Sequence, residues 1–158
     1  MLPGQGDARQ MFGLSYEGPK REDYLSVQAA QVTVSFPIVP LAPAVGGLAL
    51  KNVHVERCCG NTPTQISLQQ QVQSWDGSWI LLSQRPPSAD SSGIQWGIAR
   101  YDWEAQQVDL GGRTAYVLQR FGWWYVDWEI NRMSFELQAP ATLGQPNLLR
   151  IARKIIAQ

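Results

Sequence analysis

Between residues 114 and 137 apolar and polar side chains alternate through three successive runs, separated by Phe121-Gly122 and Asn131-Arg132. Read as tight two-residue turns, those dipeptides predict strands over Thr114–Arg120, Trp123–Ile130 and Met133–Leu137. On that register Ala115, Val117, Trp124, Val126, Trp128, Ile130, Met133, Phe135 and Leu137 share one face. A slip of one residue would send each of them to the other side, so their agreement across three strands makes this meander the expected core sheet. Farther on, Leu148, Ile151, Ala152 and Ile155 recur at helical spacing, and Arg150, Arg153 and Lys154 gather toward the negative C-terminal end of the dipole. An amphipathic C-terminal helix over 146–156 is expected to lie across the sheet.

The same reading applied upstream predicts a strand at Gln31–Phe36, with Val32, Val34 and Phe36 on one side. Pro37, Pro40 and Pro43 end it and hold an extended connector. Ala49–Arg57 resumes the pattern with Leu50, Val53 and Val55. In Ser74-Trp75-Asp76-Gly77-Ser78-Trp79 the Asp-Gly pair suits a two-residue type I′ loop, which would face Ser74 with Trp79. That register places Ile66, Leu68, Val72, Trp79 and Leu81 on one face and Gln69, Gln71 and Gln73 on the other. Pro86–Gly93 reads as a surface loop, 96–110 is hard to phase, and Gly111-Gly112 is a turn. Residues 1–24 carry scattered Gly and Pro with little periodicity and read as a poorly ordered arm or linker remnant, with the folded part beginning near Tyr24. Residues 25–158 are then a single α+β domain: an antiparallel, strongly twisted sheet of about six to eight strands, an open half-barrel, with the C-terminal helix packed on one face.

Composition narrows the functional classes. The 13 basic and 13 acidic side chains cancel, which points away from a nucleic-acid partner. No apolar run reaches the length of a spanning helix, and Met1–Gln10 lack the basic start and apolar stretch of a signal peptide. Membrane association is therefore expected only through an anchor absent from this chain.

Chemistry is sparse. His54, the one histidine, sits between Val53 and Val55 in a strand, where a histidine is far more often a solvated face residue than a general base. Cys58 and Cys59 with His54 fall short of a zinc set, and a disulfide between neighbouring residues is uncommon, so the pair reads as a loop or edge feature without catalytic duty. No nucleophile elbow or phosphate-cradling loop is present. Asp102 with Glu104 and Asp127 with Glu129 fall at strand spacing, which puts each pair on one face, usually the solvated one. No catalytic residue, cofactor or metal is expected, and only a carboxylate pair in a cleft would favour an enzyme.

The unusual feature is seven tryptophans in 158 residues. On the meander register Tyr116, Leu118, Arg120, Trp123 and Tyr125 lie opposite the core set, with Asp127 beside them. This strip must be covered by a second layer or used, and its aromatic and guanidinium groups suit a lipid-like small ligand, a sugar or a protein partner. These five residues are the expected binding site.

The order of the segments carries a resemblance. Val34-Ser35-Phe36-Pro37 with its proline-bearing connector, Leu50–Val55, the Trp-Asp-Gly hairpin, Ser83-Gln84-Arg85-Pro86, Val108–Ala115, Trp124–Trp128 and Leu148–Ala152 together resemble an uncharacterised bacterial extracytoplasmic domain family. Its members sit behind the membrane anchors of anti-sigma-factor-like proteins or in lipoproteins, and are similar to half of the lipoprotein-carrier fold of LolA and RseB. The resemblance runs over residues 31–157. It implies an extracytoplasmic, non-enzymatic sensor or binding domain, with no catalytic residues to carry over and with acyl-chain binding in the carriers as its nearest fold analogy. The alternative is an accessory protein of the PsbP kind acting by protein contact.

Overall fold

The alternation becomes eight strands of one antiparallel sheet, in the order β1-β2-β3-β4-β8-β7-β6-β5. The computed structural model describes residues 19–59, 65–74, 76–87, 97–100 and 102–158. The strands are β1 (Lys20–Tyr24), β2 (Leu50–Cys58), β3 (Gln65–Gln73), β4 (Trp79–Arg85), β5 (Gln106–Asp109), β6 (Thr114–Arg120), β7 (Trp123–Ile130) and β8 (Met133–Pro140). Two meanders, β1 to β4 and β5 to β8, are joined edge to edge where β4 pairs with β8. The result is the expected α+β open half-barrel, with helix α2 (Gln145–Ile156) on one side, here termed the inner face.

The three-strand register is as read from the sequence. Arg120 pairs with Trp123 and Ile130 with Met133, so Phe121-Gly122 and Asn131-Arg132 are two-residue turns. All four turn residues have positive φ, as a type I′ turn requires. The inner face of β4 and β6 to β8 carries Leu82, Val117, Val126, Trp128, Phe135 and Leu137, and the four stripe residues of α2, Leu148, Ile151, Ala152 and Ile155, are buried against it. Burying four such side chains contributes about 4–8 kcal/mol gross, so the helix is integral to the fold.

Three expectations are corrected. Lys20–Tyr24, placed in the arm, is edge strand β1, paired along β2 from Lys20↔Arg57 to Tyr24↔Val53. The expected strand at Gln31–Phe36 is instead the end of a short helix, α1 (Val27–Gln31), followed by a turn. Ser26 caps that helix by accepting from the Ala29 N–H at 3.1 Å, and the Thr33 hydroxyl donates to the Ala30 carbonyl at 2.7 Å. Local capping therefore overrides the Val32, Val34, Phe36 alternation, and Val32 is left exposed. In the hairpin, β3 pairs with β4 as Gln73↔Trp79 and Val72↔Ile80, one residue off the expected register. Ile80 and Leu82 are consequently buried, while Trp79 is exposed and Leu81 half-buried on the outer face. Ile66, Leu68 and Val72 point inward and Gln69, Gln71 and Gln73 outward, as read. Trp75, Trp96 and most of the Pro86–Gly93 loop lie outside the described residues.

The proline connector is seated by three glutamines. Gln31 accepts from the Ile38 N–H and donates to the Phe36 carbonyl, both at 2.8 Å. Gln84 accepts from Val39 at 3.1 Å and donates to Pro37 at 2.7 Å, and Gln70 accepts from Leu41 at 2.9 Å and donates to Val39 at 2.7 Å. Each amide thus bonds a carbonyl and the N–H two residues later, as a neighbouring strand would. Extended backbone that cannot join a ladder at its prolines is paired in this way without water. Cys58 closes β2, and its sulfur is joined to that of Cys59.

Candidate functional site

The outer face holds the five residues singled out by sequence. Cross-strand pairing places Tyr116 opposite Asp127, Leu118 opposite Tyr125 and Arg120 opposite Trp123, so the strip is assembled as expected. Its middle is covered. Ala99, Leu118 and Tyr125 form a small buried cluster, flanked by the half-buried Ala105, Tyr116 and Trp123. Two covering stretches, 97–100 and 102–105, lie over the strip, the Asp102 N–H donating to Ala99 at 3.2 Å and the Ala105 N–H to Asp102 at 3.1 Å. Arg120 fastens the second, donating to Asp102 and, at 2.6 Å, to Glu104, while Arg100 donates to Glu129 at 2.7 Å. Trp103 and Phe121 project into solvent beside that clasp.

Two readings of the carboxylates change. Asp102 and Glu104 belong to the turns of the covering segment and not to a strand, and they converge because both meet one guanidinium. Asp127 is not solvated but buried, 2% exposed, beneath Gly97, where a Cβ would lie 2.5 Å from its Oδ2. The Arg100 N–H donates to Asp127 Oδ2 at 2.7 Å, and Oδ1 has no donor. Across the strand boundary lies Glu136, whose Oε2 accepts from the Ile98 N–H at 2.6 Å. Burial above all, then the Glu136 carboxyl beside it, pushes Asp127 up to about 9, against the opposing pull of the Arg100 and Ala99 N–H groups.

His54 is also corrected. It is 7% exposed, because Arg21 and Asp23 of β1 close over it, the Arg21 guanidinium contacting its ring at 2.8 Å and Asp23 hydrogen-bonding its Nδ1. The His54 hydrogen bond, then Arg21, holds Asp23 below the usual carboxylate range. His54 belongs to a polar row that crosses the sheet on its outer face: Asp23, His54, Gln69, Ser83, Glu136, Asp127 and Tyr116 are consecutive cross-strand partners. A shallow polar hollow of about 130 Å³ opens along it between Arg21, Gln69 and Ser83.

The inner face offers a different site. Toward the β7–β8 turn a groove of about 480 Å³ runs between the sheet and the C-terminal end of α2. Val39, Ile130, Met133, Phe135, Ile155 and Ile156 supply apolar walls, and Arg113 and Gln84 add polar groups. Trp128, stacked on Phe135 with ring centres 5.4 Å apart, lines the groove, and its Nε1–H is buried without an acceptor. A buried indole N–H ordinarily finds a partner, so this donor marks the groove wall as chemically incomplete. A second hollow of about 330 Å³, lined by Val45, Leu48, Ile80, Leu143 and Ile151, lies toward the opposite end of the strands. Volumes of this size suit small organic ligands. Sequence reasoning placed Trp128, Met133 and Phe135 in the core and did not see that the helix end leaves them one open side. The one signal available was the indole itself, a donor assigned to an apolar face.

Among the described residues no cluster of His, Cys, Asp and Glu has the makings of a metal site, and no helix is long and apolar enough to cross a membrane. No family model matches the sequence, and neither a curated protein nor a solved structure matches it.

Proposed function

We propose that this chain is a non-enzymatic, extracytoplasmic binding domain that holds a lipid-like small ligand in the inner-face groove. The observation that carries the reading is the apolar groove of about 480 Å³ with the unpartnered Trp128 Nε1–H in its wall. An elongated apolar body would fill the space between Met133, Phe135 and Ile155, and an acceptor group on it would satisfy the indole. Arg113, also on the groove, favours an acceptor that is anionic. The resemblance to extracytoplasmic carrier-like domains supports the setting. A second reading, contact with a protein partner through the outer face, is favoured by the exposed Trp103 and Phe121 beside the Tyr116, Leu118, Arg120, Trp123 and Tyr125 strip.

Native mass spectrometry of the purified chain before and after organic extraction tests the first reading, followed by titration with a dansyl-labelled undecanoate. The expected result is a bound mass removed by extraction, and probe binding weakened roughly tenfold or more by Ile156→Trp, which fills the groove mouth from the helix. A clean apo mass together with probe binding unchanged by Ile156→Trp would overturn the groove reading and favour the protein-contact one.

A further inference from the structure

The covering segment rests on two carboxyls from adjacent strands. The Arg100 N–H donates to Asp127 on β7, and the Ile98 N–H donates to Glu136 on β8. Gly97 lets the backbone approach this closely. We propose that the Asp127–Glu136 pair is a proton-operated latch, and that loss of its shared proton lifts the 97–100 end of the cover from the outer-face strip.

Directly opposed residues in an antiparallel pair stand about 4.5–5.5 Å apart at Cβ, close enough for two carboxyls to share one proton. With the proton in place, Asp127 donates through the oxygen that otherwise has no partner, and the site is neutral enough to stay dry under Ala99. Without it, two carboxylates face each other in a water-poor site, and hydration of Asp127 requires the segment above it to move. The groups facing the pair do not remove that conflict. Tyr116 of β6 and Ser83 of β4 stand directly across from Asp127 and Glu136. Tyr125, Glu129, Ser134, Gln138 and Arg85 occupy the adjoining outer-face positions, and Thr114 of β6 lies two residues before Tyr116. Of the nearby cations, Arg100 reaches Glu129 with its guanidinium and Arg120 grips Asp102 and Glu104. That grip keeps the far end of the cover attached, so release is local to 97–100.

The direction follows from the raised proton affinity. A carboxyl held up to about 9 in the folded protein keeps its proton through neutral pH, so the cover is closed there and opens as pH climbs through that value. Opening takes Ala99 off Leu118 and Tyr125 and turns a buried cluster into an apolar contact surface.

Trypsin cleavage after Arg100 in the full chain reads the opening, with each rate divided by that of a peptide spanning the same bond at the same pH. Between pH 7.5 and 9.5 the normalised rate should rise roughly tenfold or more in the wild type, stay level in Asp127→Asn, and rise less in Glu136→Gln, with far-UV dichroism unchanged. Glu136→Gln alone decides the matter if Asp127→Asn does not fold. A level wild-type rate, or the same rise in the variants as in the wild type, would overturn the latch. Because no ligand is involved, this outcome is independent of whether the inner groove is occupied.

Discussion

Gln70 is fully buried on the inner face, and both ends of its amide are used, by the Leu41 N–H and the Val39 carbonyl. Its sequence neighbours Gln69 and Gln71 point outward, where Gln71 makes one long bond of 3.3 Å to Gln69. Parity along the strand made the inward direction of Gln70 readable. Its purpose was not, because the partners lie some thirty residues earlier in a connector whose own path depends on α1. Replacing Gln70 by Leu keeps the volume but leaves a buried N–H and a buried carbonyl unpaired, each costing about 1–3 kcal/mol, so we expect a loss of about 2–6 kcal/mol in total. Gln71→Leu should cost under about 0.5 kcal/mol. Urea denaturation of the two variants checks the contrast, and equal midpoints would show that the amide ladder does not hold the connector.

At the scale of elements, the instructive case is the hairpin between β3 and β4. Both Asp76-Gly77 and Asn131-Arg132 look like two-residue turns, but the chain uses them differently. Asn131 and Arg132 each adopt positive φ, whereas at the earlier hairpin Gly77 does so and Asp76 does not. The Asp76 carboxylate instead accepts from the Ser74 hydroxyl and from the Ser78 N–H at 2.9 Å, bonds that, the Ser74 hydroxyl first, hold its carboxyl down at about 2. That side-chain bonding stabilises a longer connection in which the Ser74 N–H donates to the Ser78 carbonyl at 2.8 Å. One added residue reverses the faces of β4, so Trp79 and Leu81, expected on the face of Leu68 and Val72, turn outward and Ile80 and Leu82 turn inward. A dipeptide alone does not fix the length of the Asp76-Gly77 loop, whereas at Phe121-Gly122 and Asn131-Arg132 three strands agree on one face. Ile80→Ala should therefore destabilise by about 2–4 kcal/mol and Leu81→Ala by about 1 kcal/mol or less. A larger loss for Leu81→Ala in thermal melts would restore the shorter loop.

Taken whole, the molecule is one sheet with two unequal coverings. The inner layer was legible because α2 and the meander each carry a strict period, and the two periods meet on one face. The outer layer was not, because the sequence over 97–105 has no period; hydrogen bonds and the Arg120 clasp hold the stretches 97–100 and 102–105 over Leu118 and Tyr125. Alternation thus reveals the strip but not its cover. The groove was missed for a related reason, since it is the space left where a helix of fixed length stops short of the β7–β8 turn. Stacked layers on a sheet lie about 10 Å from it, so the coverings touch the same strands without touching each other. Leu148 is buried on the inner side and Leu118 on the outer, and truncating either to Ala should cost about 2–5 kcal/mol. Because they share no partners, the double variant should lose the sum of the two within about 0.5 kcal/mol. Chemical denaturation of the four proteins of this cycle measures the coupling. A coupling well above that would mean the sheet transmits packing from one face to the other, and a latch on the outer face would then act on the groove beneath α2.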